Sequence, residues 1–117
     1  MKILLGRDEV NPNNPGNDGY TPLHIAAMLG FEGVVKILLG RDDVNPNQPD
    51  IGGQTPLHWA VIREREGVVK ILLGRDDVNP KKLDNEGQTP LHHSVKGQHE
   101  GIIALFHSWK ATARNIY

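Results

Sequence analysis

The residues best suited to chemistry in this sequence are its six histidines, because imidazole binds metals and exchanges protons near neutral pH. Three of them, His24, His58 and His92, close the string Thr-Pro-Leu-His at a spacing of 34 residues. A zinc site needs two or three such rings within a few ångströms of each other. Neighbouring helices pack roughly 8–10 Å apart, so residues one repeat apart do not easily share an ion. Consecutive His92 and His93 point about 100° apart on a helix and form a poor ligand pair, so we predict no metal.

A second candidate is the run Asp43-x-Asn45-x-Asn47, in which the oxygen-bearing side chains have the spacing of a calcium-binding loop. The glycine that such a loop needs at its sixth position is replaced by Gln48, and the closing acid is replaced by Gln54. Surface turn chemistry explains these residues better than calcium does. We therefore predict no calcium site.

Signatures of catalysis are absent from the sequence. It contains no phosphate-binding glycine loop, no serine nucleophile motif and no HExxH zinc motif. The adjacent acids Asp76 and Asp77 beside Arg75 fit a solvated helix end better than an acid–base pair. We predict that the protein is not an enzyme and needs no cofactor.

The composition limits the class of protein further. The 117 residues suffice for one domain, and because 38% are hydrophobic but only 5% aromatic, its core must be aliphatic. A net charge of -1 offers no basic surface for nucleic acid or for a membrane surface. No apolar stretch approaches the roughly 20 residues of a membrane span or the length of a signal peptide core. Without cysteine there are no disulfides, and we expect a soluble, cytoplasmic protein.

The chain repeats itself with a period of 34 residues. The segment 32–46 recurs unchanged at 66–80, and residues 2–12 match 36–46 except at position 9. We therefore interpret 1–117 as a single domain of one partial and three full repeats. The predicted units are 1–15 for the partial repeat, 16–49 for repeat 1, 50–83 for repeat 2 and 84–117 for repeat 3.

Each repeat is predicted to contain two short helices and a connecting finger. Thr21 is a suitable N-cap, Pro22 suits the first helical position, and Gly30 suits the end of that helix. A second helix follows through the apolar residues of 34–39. Helices of about eight residues are marginal in water, so stacking between repeats must stabilise them.

The pattern G-x-TPLH-x-A-A, followed by VV-K-ILL and D-V-N, resembles the ankyrin repeat over about residues 2–107. The strings GRDDVNP and TPLHWA are similar to ankyrin arrays on large fungal nucleotide-binding-domain proteins. The resemblance implies an all-α ankyrin-repeat solenoid of stacked helix pairs with β-hairpin-like fingers. It also implies that the histidine of TPLH is structural and hydrogen-bonds around the finger and the helix start.

The sequence departs from the ankyrin pattern at identifiable positions. The period is 34 residues rather than the usual period of about 33, so we expect altered finger tips with shorter strand pairing. The inter-helix glycine is present as Gly30 but is replaced by Glu64 and Gln98 in the next two repeats. Gly97 lies one position earlier, and we expect it to serve the same purpose in repeat 3.

The ankyrin resemblance implies a protein–protein interaction module that uses its finger tips and the concave side of its first helices. We predict a protein partner, and neither nucleic acid nor membrane; the alternative is a structural spacer, or an excised or engineered scaffold without a dedicated partner. Trp59 aligns with Ile25, a position usually packed in the family, so we expect Trp59 to pack between repeats. The predicted partner-binding residues are Tyr20, Met28, Leu29, Ile51, Gln54, Ile62, Arg63, Glu86, Gln88 and Lys96.

The first residues of the chain read as the second helix of an incomplete repeat. Its helix at 2–5 has no first helix before it, which would place Ile3, Leu4, Leu23 and Ala27 near an uncapped apolar end. Terminal repeats of solenoids normally present a polar outer face. We therefore expect fraying of residues 1–5 or weak self-association through this end.

Overall fold

A computed structural model describes residues 18–115, with side chains described through residue 109. This part of the chain contains six helices and no strand. The helices are α1 (Pro22–Leu29), α2 (Glu32–Leu39), α3 (Pro56–Ile62), α4 (Glu66–Leu73), α5 (Pro90–Lys96) and α6 (Glu100–Asn115). They form three helix pairs, in which α1, α3 and α5 stack in one row and α2, α4 and α6 in a second. The predicted all-α solenoid of stacked helix pairs is confirmed.

The string TPLH begins every first helix for the same physical reason. The hydroxyl of Thr21 accepts a hydrogen bond from the His24 backbone N–H at 3.3 Å. In return the Thr21 backbone N–H donates to Nδ1 of His24 at 3.0 Å, so this capping box uses histidine at its third position. Proline fills the first helical position, where no N–H is needed. The same arrangement recurs at the starts of α3 and α5.

The turn between the two helices of a repeat uses a left-handed residue in all three pairs. Gly30 has φ 76°, and the structurally equivalent Glu64 and Gln98 have φ 56° and 58°. At each of these turns two backbone N–H groups donate to carbonyls at the end of the first helix. Arg65 N–H, for example, donates to Ala60 O at 2.7 Å. The expectation for Gly97 is wrong: its φ is -85°, and Gln98 takes the left-handed conformation instead.

The core is one continuous, mostly aliphatic layer between the two rows of helices. Ala26, Ala27 and Ala60 are completely buried, and their small size lets the first helices approach each other closely. Second helices contribute larger buried side chains, including Leu38 and Leu72. This arrangement follows from the composition, which supplies many aliphatic residues and few aromatic ones.

The fingers that join one repeat to the next consist of turns. In the second finger Asp50 N–H donates to Gln54 O at 2.9 Å, and Gly53 N–H donates to Asp50 O at 3.0 Å. These bonds are hairpin-like but too few for a strand within residues 18–115. Successive fingers are joined by backbone bonds such as Asn85 N–H to Gly52 O at 3.0 Å. The stack is therefore continuous through both its helices and its fingers.

The linkers that follow the second helices contact each other from one repeat to the next. The Asn47 side chain donates to the Asp77 carbonyl at 2.7 Å and accepts from the Asn79 backbone N–H at 2.6 Å. The Asn47 side chain thus connects neighbouring repeats. The predicted partial repeat at 1–15 and the apolar end around Ile3 and Leu4 lie outside the described residues.

Glu64→Gly is expected to stabilise the protein by about 1 kcal/mol, because an L-residue in the left-handed region costs roughly 1–2 kcal/mol. The substitution removes one contact, from the Glu64 carboxylate to Nδ1 of His99 at 3.3 Å, and exposed contacts of this kind contribute little. Urea unfolding measures the difference. Gln98→Gly should give a similar gain, and destabilisation by both variants would contradict the argument.

Gly53→Ala is expected to destabilise the protein more than Gly87→Ala. Both glycines have positive φ, at 77° and 75°, so alanine is strained at either position. A Cβ on Gly53 would also lie 2.7 Å from the Asn85 backbone nitrogen in the next finger, whereas a Cβ on Gly87 meets nothing within 4 Å. Thermal unfolding of the two variants isolates the cost of separating the fingers, and equal losses would show that the finger contact is unimportant.

Candidate functional site

Equivalent positions of the three repeats form rows along the face where the first helices meet the fingers. One row holds Ile25, Trp59 and His93, and a row one turn further on holds Leu29 and Arg63. The fingers border this face, since Trp59 bonds to Asp50 of its own finger. We call this face the inner surface, defined by Tyr20, Leu29, Trp59, Arg63 and His93.

The predicted partner-binding residues all reach the surface of the molecule. Leu29 and Ile51 are 45% and 74% exposed although both are aliphatic. The exposed members of the predicted set are Leu29, Ile51, Arg63, Glu86 and Lys96, and the half-buried members are Tyr20, Met28, Gln54, Ile62 and Gln88. Their role in binding a partner stays a prediction.

Trp59 has more contacts than its alignment with Ile25 suggested. Its ring lies edge-on to Tyr20 of the preceding repeat, with centroids 5.9 Å apart, so it packs between repeats. Its indole N–H donates to Oδ2 of Asp50 at 2.7 Å, which ties the helix to the finger. The guanidinium of Arg63 lies 5.8 Å from the ring centroid, within cation–π range. The i, i+4 spacing of Trp59 and Arg63 is the sequence signal for this last contact.

An aspartate fixes the shape of each of the two complete fingers. One carboxylate oxygen of Asp84 accepts from the backbone N–H groups of Glu86 and Gln88, both at 2.9 Å. The other accepts from Nε2 of His93 at 2.8 Å. Burial by itself would raise the pKa of Asp84, but the hydrogen bonds from His93 and from the backbone outweigh it and lower the pKa to about 2. Asp50 and Trp59 form the corresponding pair in repeat 2.

The buried histidines His24 and His58 use both ring nitrogens. Since Nδ1 accepts from the threonine backbone N–H, the proton lies on Nε2, which donates to the carbonyls of Gln54 and Gln88 at 2.9 and 3.0 Å. Burial lowers the pKa of both rings despite these carbonyls, because the charged form would lose its hydration. The structural role that the resemblance implied for this histidine matches the geometry.

The only grouping of potential metal ligands among the described residues is His58, Asp84 and His93, whose nearest ligand atoms lie within 4.8 Å of one another. The grouping was missed from the sequence because the TPLH histidines were compared with one another, and His93 only with its neighbour His92. His58 fits a metal poorly, since coordination through Nε2 would move its proton to Nδ1. Nδ1–H would then face the Thr55 backbone N–H, two donors together. The grouping therefore lacks a third available ligand atom.

The repeated helix pairs, fingers and inner surface define a helical-repeat solenoid. A family model described as ankyrin repeats (3 copies) matches residues 1–82 and again residues 45–115. The chain therefore belongs to the ankyrin-repeat family, whose members are generally protein–protein interaction modules and typically not enzymes. A search of curated proteins found no significant match. None of the helices in the described part is long and apolar enough to span a bilayer.

Acidification from about pH 7.5 to about pH 5.5 is expected to destabilise the protein. In the unfolded chain His24 and His58 take up protons near their ordinary pKa of 6.5, whereas burial resists this in the folded chain. Their stabilising contribution is therefore complete above 6.5 and falls as the pH drops toward the lowered pKa values. Urea unfolding at both pH values measures the loss, and NMR titration of the two rings assigns it. Stability that is flat or rises over this range would contradict the burial argument.

Proposed function

We propose that this chain is a non-catalytic module that binds a partner protein through its inner surface and finger tips. The ankyrin family supports the general role, and the distribution of differences between the repeats supports the location. Residues 32–46 and 66–80, which include α2 and α4, are identical. The first helices differ from each other, and two of the differences, at 25/59 and 29/63, fall on the inner surface, whereas the exchange of Ala27 for Val61 is buried.

The pairs of equivalent residues are the main support for this location. Ile25 is replaced by Trp59, and Leu29 by Arg63, between neighbouring repeats of otherwise similar sequence. Both positions are accessible, and Leu29 and Arg63 are exposed. Exposed apolar side chains next to polar ones are typical of interaction sites. The second helices are identical between repeats 1 and 2, whereas accessible positions on the first helices differ. This pattern favours recognition of a partner over a purely structural spacer.

The chemistry of the described residues also favours a binding role over catalysis. Both nitrogens of His24 and His58 are occupied, and His93 donates to an aspartate that is already fixed by its finger. Such groups hold the fold together. Binding needs only the shape and charge of the exposed residues, which the inner surface provides.

A displayed random-peptide library, selected on the whole chain, tests the location. Combined Leu29→Ala and Arg63→Ala substitutions are expected to weaken the selected peptides tenfold or more, because truncated hot-spot residues typically cost 2 kcal/mol or more. Both side chains are exposed, so the melting temperature should change little.

The matched control removes one aliphatic and one basic residue from α2, which lies in the second row of helices. Ile37 is 65% exposed and Lys36 is exposed beside it on α2. The control variant Lys36→Ala with Ile37→Ala should bind the selected peptides as the parent does. Peptides that respond to the control and not to the inner-surface variant would refute the proposed location, and the absence of any selected peptide would favour the spacer role.

A further inference from the structure

We infer that the inner surface recognises a carboxylate of its protein partner, carried next to an apolar side chain on the same peptide segment, with Arg63 as the receiving group. The inference deepens the proposed function and depends on it. It specifies which chemistry the partner must present.

Arg63 differs from the other arginines whose side chains the structure describes. Arg41 and Arg75 each form a two-point ion pair, with Asp43 and Asp77, at 2.9–3.1 Å. Arg65 donates its Nε–H to the Met28 carbonyl at 2.9 Å. The guanidinium of Arg63 is exposed and forms no hydrogen bond or ion pair within residues 18–109; its contact is with the Trp59 ring. Among the described arginines, its guanidinium is therefore the one with no acceptor already bound to any of its N–H groups.

The guanidinium is also held in place before a partner arrives. It lies over the Trp59 ring at 5.8 Å, and that ring is fixed by the Asp50 carboxylate at 2.7 Å and by the edge-on Tyr20 ring. The indole N–H already donates to Asp50, so it is not available to a ligand. The face of the Trp59 ring contacts the guanidinium and holds it in place. A planar guanidinium on an aromatic face keeps its N–H edges free for bidentate bonding to a carboxylate.

The described acids near Arg63 form no ion pair with its guanidinium. Asp50 is the nearest finger acid in the same repeat, and both its oxygens are occupied: Oδ1 accepts from the backbone N–H groups of Gly52 and Gln54, and Oδ2 accepts from Trp59. The neighbouring Glu64 contacts His99 instead. The negative charge of these acids disfavours a doubly charged phosphate more than a carboxylate with one charge. The chain has a net charge of -1, and the other arginine of this segment, Arg65, donates its Nε–H to the Met28 carbonyl of the preceding repeat.

The apolar part of the proposed segment follows from the neighbouring repeat. Leu29 holds the position equivalent to Arg63 and is 45% exposed, with half-buried Met28 beside it. Adjacent repeats therefore present an aliphatic side chain and a guanidinium side by side. A segment that crosses the repeats would place its apolar residue on Leu29 and its carboxylate on Arg63.

Peptide selection on three whole-chain baits tests this chemistry: the parent, Arg63→Gln and Arg63→Glu. The parent should enrich Asp or Glu at a fixed spacing from an apolar residue, Arg63→Gln should lose that enrichment, and Arg63→Glu should enrich Lys or Arg there. Replacing the selected acid by its amide should weaken binding to the parent at least tenfold and binding to Arg63→Gln less than twofold. The charge-matched controls Lys36→Gln and Lys36→Glu on α2 should select the same acidic peptides as the parent.

A Trp109→Phe background leaves Trp59 as the sole tryptophan, so its fluorescence reports directly on binding beside Arg63. Acidic peptides should change this emission, and their amide counterparts should not. Peptides that depend on Leu29 but show no acid preference would overturn the inference and leave the proposed function standing. Peptides that are insensitive to both Leu29→Ala and Arg63→Ala would overturn both.

Discussion

One buried histidine ring per repeat interface, hydrogen-bonded at both nitrogens, holds this fold together. In repeats 1 and 2 it joins the start of a first helix to the finger of the next repeat through the Gln54 and Gln88 carbonyls. The same ring therefore takes part in starting a helix and in stacking the next repeat. Helices of seven or eight residues are marginal alone, so this coupling adds to the buried hydrophobic contacts that stabilise them. In repeat 3 the corresponding ring, on His92, is exposed.

The aspartates of the fingers extend this scheme to the surface. Asp50 shapes its finger with one oxygen and fixes Trp59 with the other, and Asp84 and His93 repeat the arrangement. The position of the inner surface relative to the fingers is thus set by carboxylates rather than by strand pairing. A variable residue on the first helix can be exchanged without loss of the finger shape, as the change from tryptophan to histidine shows.

Much of the fold could be predicted from the sequence because its signals are local and repeated. Thr-Pro at the helix start and the identical segments 32–46 and 66–80 fixed the order and approximate bounds of the helices. Local rules failed where two candidate residues compete for one backbone conformation, as in the preference for Gln98 over Gly97. The length of the hydrogen-bonded turn determines which residue is left-handed, and this outweighs the greater conformational freedom of Gly97.

The candidate site was harder to predict because it depends on contacts between repeats. Position in the repeat led to Tyr20, Leu29 and Arg63 as predicted binding residues, but not to His93, and Trp59 was expected only to pack between repeats. The support of Arg63 by Trp59, and of Trp59 by Asp50, is a matter of side-chain geometry. The approach of His58 to Asp84 and His93 was missed for the same reason, since it joins residues that no single motif contains.

The identical sequences of α2 and α4 also affect how the chain folds. These helices carry the same side chains, so their own sequences do not distinguish the correct neighbour from the neighbour one repeat away. Only the first helices and fingers, where Ala27 is replaced by Val61 and Ile25 by Trp59, encode the correct register. A partly folded chain can therefore dock one second helix in the place of the other and loop out a whole repeat. Such a misfolded state must undock the helix before it can reach the native state. Between two chains, the identical helices could also be exchanged.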